Sequence, residues 1–334
     1  MQKLPAIILI GSLSMLFAEI FSGASQAWFI SGWGLLLTFP LYLCHVLFFL
    51  NIAFKLKRIS PPQLYLLGVI FGLYESWITK VLWSGYFDSN GPGLGTILGI
   101  GVSEFPVLVF FWHPVMSFIV PVLVFELLTR KIHISHASIL TKSTRKTALI
   151  VLSIISLATF IANGNKFNLL SSNTSLVGTL LIILVFYSLG RKADLEVFNF
   201  GRRGFIVLSL YLALLYVLAF LFLLPERIPN TLVPYATIIV FYLLPILLFK
   251  KSKTTYMELI AADESKYSSR DLLIFAIITI VAANLATIFS KISLVVLTVS
   301  YLILEFVGII LFVYVLYKTL TSIKSTIDEN KNYM

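Results

Sequence analysis

The chain has 334 residues, of which 59% are hydrophobic and 12% charged, and its mean hydropathy is +0.97. Such a composition excludes a water-soluble globule and reads as an all-α polytopic membrane helix bundle with the lipid bilayer as its main partner. The net charge of +10 is spread between apolar runs, which excludes nucleic acid as a partner, and the single cysteine, Cys44, excludes an intrachain disulfide or a cysteine metal site.

Crossing the hydrocarbon core as a helix takes about 17 to 25 apolar residues. About ten stretches meet or nearly meet this, at roughly 4–21, 34–54, 64–84, 105–128, 147–163, 174–190, 204–224, 231–249, 272–290 and 293–317. With the N-terminus in the cytoplasm, every Lys and Arg of the 25 except Lys80, Lys166, Arg227 and Lys291 falls in a cytoplasmic segment. This one-sided split follows the positive-inside rule and predicts cytoplasmic N- and C-termini in a cell membrane. Lys3, the first apolar run and Ser25-Gln26-Ala27 also have the layout of a cleavable signal peptide, against which stand the length of the run and Glu19 near its end.

After the basic turn KLKRISPPQ (55–63), the third span carries Gly68, Gly72, Glu75 and Thr79 on one helical face. Gly68 and Gly72 form a GxxxG pair that admits a close neighbouring helix, so Glu75 is expected to face protein. The loop from Gly85 to Glu104 is rich in glycine around an apolar centre (96–102), a composition that suits either a flexible loop or one folded back into the membrane. In the fourth span His113 precedes Pro114, Ser117 follows one turn later and Pro121 another turn below, so a kink and a protected space around His113 are expected. The basic loop from Arg130 to Lys146 places His133 and His136 among solvated groups. The later spans are almost wholly apolar, with Asn284 and Glu305 as the main polar exceptions, and the segment after Lys318 is polar.

Ionisable side chains inside a membrane cost about 2.5 to 3.5 kcal/mol each on insertion scales, so they tend to have a use. Glu19, His45, Glu75, Lys80 and His113 all fall in the first four spans. The expected division is therefore a polar sub-bundle (1–131) carrying the site, an apolar sub-bundle (147–317) and a cytoplasmic tail (318–334). A buried carboxyl has a raised pKa and can act as a general base, while an imidazole orients water or an oxyanion. Glu75 and His113 are thus the catalytic candidates, with Glu19, His45, Lys80 and Ser117 in support. No HExxH pair is present, and neither a metal nor a cofactor is implied.

The segment Glu75-Ser76-Trp77-Ile78-Thr79-Lys80 resembles the EExxxR motif of the CPBP and PrsW-like intramembrane glutamate proteases. The resemblance implies Glu75 in the place of the first catalytic glutamate, Lys80 in that of the arginine and His113, within HPVMS, in that of a later histidine. Ser76 stands where the family has its second glutamate, and Val109 where an FxxxH motif would have phenylalanine. Three readings follow: a metal-independent intramembrane hydrolase acting on a membrane-embedded peptide or small molecule, a secondary transporter or permease with Glu and His along the substrate or proton path, and a noncatalytic scaffold held by the same polar groups.

Overall fold

The computed structural model describes residues 3–86 and 91–332, the side chains of 325–332 excepted. Among the described residues, nine helices are long and apolar enough to cross a membrane: α1 (Lys3–Ile20), α2 (Gly34–Lys55), α5 (Phe105–Thr129), α6 (Thr144–Gly164), α7 (Leu169–Gly190), α8 (Arg202–Phe222), α9 (Leu232–Lys251), α10 (Ser269–Ile288) and the Ser290–Lys324 part of α11. They match nine of the expected spans to within a few residues. The expected third span differs. Its helix, α3 (Pro61–Thr79), stops where Lys80 turns left-handed at φ 56°, and a four-residue turn, α4 (Val81–Ser84), follows. Gln63, Tyr65, Tyr74 and Glu75 leave α3 less apolar than the nine, and α11 stays helical to Asn332 through the polar tail.

The chain divides into two compact units, each assembled from separate stretches. The first comprises residues 1–47, 120–199 and 256–301, the second 48–119, 200–255 and 302–334. Each unit therefore draws on residues both before 131 and after 147.

In the first unit, α1 packs on α7, and α6 and α7 pack on α10. Glycine sets the closest of these approaches: a Cβ on Gly164 would stand 2.1 Å from the Gly23 carbonyl oxygen. Trp28 stacks on Phe39 and donates its indole N–H to the Thr179 hydroxyl at 3.1 Å. Asn284, polar in an apolar helix, pairs its side-chain amide with that of Asn173 at 2.6 and 3.1 Å, satisfying both. Two short strands, β3 (Lys131–His133) and β4 (Leu259–Ala261), pair antiparallel, Ile132 opposite Ile260.

In the second unit α3 is the buried centre, packed against the 105–119 stretch of α5, α8 and α9. Pro61 opens it, and the Gln63 side chain accepts the Ser60 N–H at 3.0 Å, closing its first turn. At the far end of α9 the Arg58 guanidinium donates to the carbonyls of Ser252 (2.9 Å) and Lys250 (3.1 Å), a cation on a helix C-terminus. In the glycine-rich loop two two-residue strands, β1 (Thr96–Ile97) and β2 (Ile100–Gly101), pair as a hairpin.

Candidate relay on α3 and α5

Two features of sequence bring α3 and α5 together. A Cβ on Gly68 would stand 2.4 Å from the Pro114 Cα, and one on Gly72 would stand 3.0 Å from the Val109 Cα and 3.3 Å from the His113 Cβ. The GxxxG pair therefore presses the backbone of α3 against α5 at the level of His113, as the spacing predicts. On the other side, residues Phe105–Ile119 of α5 wind as a π-helix with Pro114 inside it. Wide turns of this kind concentrate at functional sites, and here the widening accompanies the missing N–H of the proline.

At that contact three side chains form a line. His113 Nε2 lies 3.0 Å from Glu75 Oε2, and His113 Nδ1 lies 3.2 Å from Ser117 Oγ. Ser117 and His113 are buried, while the Glu75 side chain is 17% exposed, so the line has one partly open end. An ionised carboxylate only accepts, so with neutral imidazole the proton sits on Nε2, Nδ1 accepts and the Ser117 hydroxyl donates. Phe71 closes over the imidazole at 5.4 Å between ring centroids. Both ring nitrogens are thus engaged. A water held by His113 for Glu75 to activate would have to displace one of these contacts.

Of the supporting candidates Ser117 joins this line, and the other three lie elsewhere. Lys80 is fully buried, and its ammonium donates to the carbonyls of Ala219, at 3.1 Å, and Leu223, where α8 ends. Glu19 belongs to the first unit, where its carboxylate accepts from the Tyr42 hydroxyl at 2.5 Å and from Ser25 Oγ. His45 contacts the Leu41 carbonyl of its own helix at 2.8 Å.

Another cluster departs from expectation. His133 and His136, expected in solvent, are buried at 1% and 0% exposure. The cause is Glu126, itself fully buried, whose carboxylate meets His136 Nδ1 at 2.9 and 3.0 Å and accepts the His133 backbone N–H at 2.8 Å. Strand β4 pairs with β3 and brings Tyr256 toward His133. The His133 pKa is lowered to about 4, chiefly by burial and then by the charge of His136, with a backbone hydrogen bond to Tyr256 opposing both. The sequence signal for this cluster was the closely spaced glutamate and histidines themselves. What the sequence lacked was the distant strand that covers them.

Comparison with known proteins agrees with this membrane architecture. A stretch of 119 residues, 36% of this chain and 37% of the relative, is 44% identical to an "Uncharacterized protein" of Archaeoglobus fulgidus, so the match spans about a third of either chain. No solved structure matches. Residues 8–327 match a family described as "Uncharacterized membrane protein family", and a match of that length makes this chain a multi-pass member of that family.

Proposed function

We propose that the chain handles protons inside the bilayer, as a secondary transporter or permease in which Glu75, His113 and Ser117 form a proton relay. The observation that carries this reading is that both nitrogens of one buried imidazole are engaged, one by a carboxylate and the other by a hydroxyl. A proton arriving at the partly open Glu75 leaves a neutral carboxyl. The neutral carboxyl can donate, and the imidazole facing it takes the tautomer with its proton on Nδ1; passing the Glu75 proton to Nε2 then gives an imidazolium, and release of the Nδ1 proton toward the Ser117 hydroxyl restores neutral imidazole with its proton on Nε2. Each step moves one proton between hydrogen-bonded neighbours, and the Ser117 hydroxyl can pass a proton on only by giving up its own, as in intramembrane relays. The bias of Lys and Arg supports cytoplasmic termini in a cell membrane.

The test is proton entry into vesicles containing the purified full-length chain, read by an enclosed pH-sensitive dye under an imposed potassium potential. The relay requires entry well above that of empty vesicles and at least a tenfold loss in Glu75→Gln and His113→Gln. Wild-type vesicles no faster than empty ones would remove it.

A second reading, a membrane-embedded hydrolase, is favoured by one observation: hydroxyl, imidazole and carboxylate stand in the order of a nucleophile, its base and the group that orients the base. Here Ser117 is the nucleophile, His113 the base and Glu75 the orienting group. A fluorophosphonate probe should then label Ser117 and fail to label Ser117→Ala, whereas an unlabelled wild type rejects this mechanism.

A further inference from the structure

A second polar group in the same unit lies where α5 begins. A Cβ on Gly308 would stand 2.4 Å from the Pro106 carbonyl oxygen, and one turn further along both helices Phe312 stacks on Phe110 with ring centroids 4.0 Å apart. Contacts that advance together along both helices mean that the two run parallel. One turn back from Gly308 is Glu305, and the matching step from Pro106 arrives at Ser103 and Glu104. The two carboxylates are close enough for Glu305 to act on the charge of Glu104.

Ser103 and Glu104 are 1% exposed and Glu305 is 7% exposed. Ser103 Oγ, Glu104 Oε2 and Glu305 Oε1 have no hydrogen-bond partner among the described residues. The other oxygen of Glu104 accepts the Gly93 N–H at 3.0 Å, and Ser103 Oγ is 3.9 Å from where a Cβ on Gly93 would stand. Gly101 leaves room beside them: a Cβ there would lie 2.5 Å from Glu104 Oε2 and 3.0 Å from the Leu82 carbonyl oxygen. The groups that converge are all oxygens. No Lys or Arg is among the charges that act on Glu104. Two buried carboxylates left in this state are costly unless a cation or a proton neutralises them.

We propose that Glu104, Glu305, Ser103 and the Leu82 carbonyl bind a divalent cation of the calcium class. Two carboxylates match its charge, and a hydroxyl and a backbone carbonyl complete a mixed oxygen set that calcium accepts and zinc does not. Magnesium suits it less, because it demands near-ideal octahedral geometry and retains its waters. The site stands apart from the relay reading and does not depend on it.

The experiment is thermal unfolding of the full-length chain in detergent, in EGTA and then with CaCl2, MgCl2 or NaCl. Calcium should raise Tm with half-maximal effect below about 1 mM, the range of extracellular calcium modules. Glu104→Gln and Glu305→Gln should each raise that concentration at least tenfold. Two further measurements keep the site testable where either variant fails to fold. Ser103→Ala, which removes only a neutral ligand, should raise it severalfold, and terbium bound to the wild type should luminesce on excitation of Trp83, next to Leu82, and be displaced by calcium. Three results would overturn the site: a wild type blind to calcium in both measurements, an equal calcium shift in the double glutamine variant, or a Tm that rises on acidification and ignores cations, which is a shared proton only.

Discussion

Tyr65 on α3 donates its hydroxyl to the carbonyl of Phe110 on α5 at 2.6 Å. In this π-wound stretch Pro114 brings no N–H to the carbonyl five residues back, that of Val109, and the tyrosine supplies a donor to the next carbonyl on the same widened turn. Tyr65→Phe keeps the ring and loses the donor. It should destabilise the protein by about 1 to 2 kcal/mol, read as a lower Tm in detergent, and an unchanged Tm would show that the carbonyl is satisfied by other means.

Gly68 and Gly178 both accept a close neighbour, but the neighbours differ. A Cβ on Gly68 meets backbone at Pro114, whereas one on Gly178 meets the ring of Phe29. A ring can turn aside and a helix backbone cannot. Gly68→Ala is therefore expected to cost about 1 to 3 kcal/mol and Gly178→Ala less, a ranking that denaturation of the two variants side by side would check.

Lys80 offers a clean separation of roles. Its buried ammonium serves the carbonyls that end α8. Lys80→Met should cost about 1 to 3 kcal/mol by removing the ammonium from the Leu223 carbonyl, whereas the Ala219 carbonyl keeps the Leu223 N–H at 3.0 Å. Proton entry per folded molecule should persist in this variant. A loss comparable with that of Glu75→Gln would bring Lys80 into the relay, as its place in the EExxxR-like motif implies.

His133 makes stability depend on pH. Its pKa in the folded chain is lowered to about 4 from 6.5, so between these values the unfolded chain binds the proton and the folded chain does not. The contribution of His133 is therefore complete above about pH 6.5 and is lost as pH falls toward 4, about 3 kcal/mol in all. Tm measured from pH 7 to 4 should fall more steeply in the wild type than in His133→Asn, and parallel curves would contradict the assignment.

Much of the Glu75–His113–Ser117 line was legible because its geometry is mostly local. Gly68, Gly72 and Glu75 share a face by helical spacing alone, and Ser117 follows His113 by one turn, so one close helix pair completes the line. The apolar spans were legible for the same reason, since length and hydropathy decide them residue by residue. What escaped depends on partners far along the chain. Lys80 finds its acceptors about 140 residues away at the end of α8, and Glu305 faces Glu104 only because two distant helices run parallel. His133 and His136 looked solvated because a basic loop hid the strand pairing that covers them. The break at Lys80 was missed because an apolar run continues through it, while the helix is interrupted at a single left-handed residue.

Surrounding α3 with protein also affects how the chain is made. Insertion machinery sorts helices into lipid largely by their own apolarity. A segment that carries Gln63, Tyr65, Tyr74 and Glu75 is a poor candidate to partition alone. It has to settle among companions, and two of them, α8 and α9, are synthesised more than 100 residues after it. Biogenesis of the second unit is therefore expected to include an interval in which α3 is held at the insertion site or by a chaperone until those helices arrive.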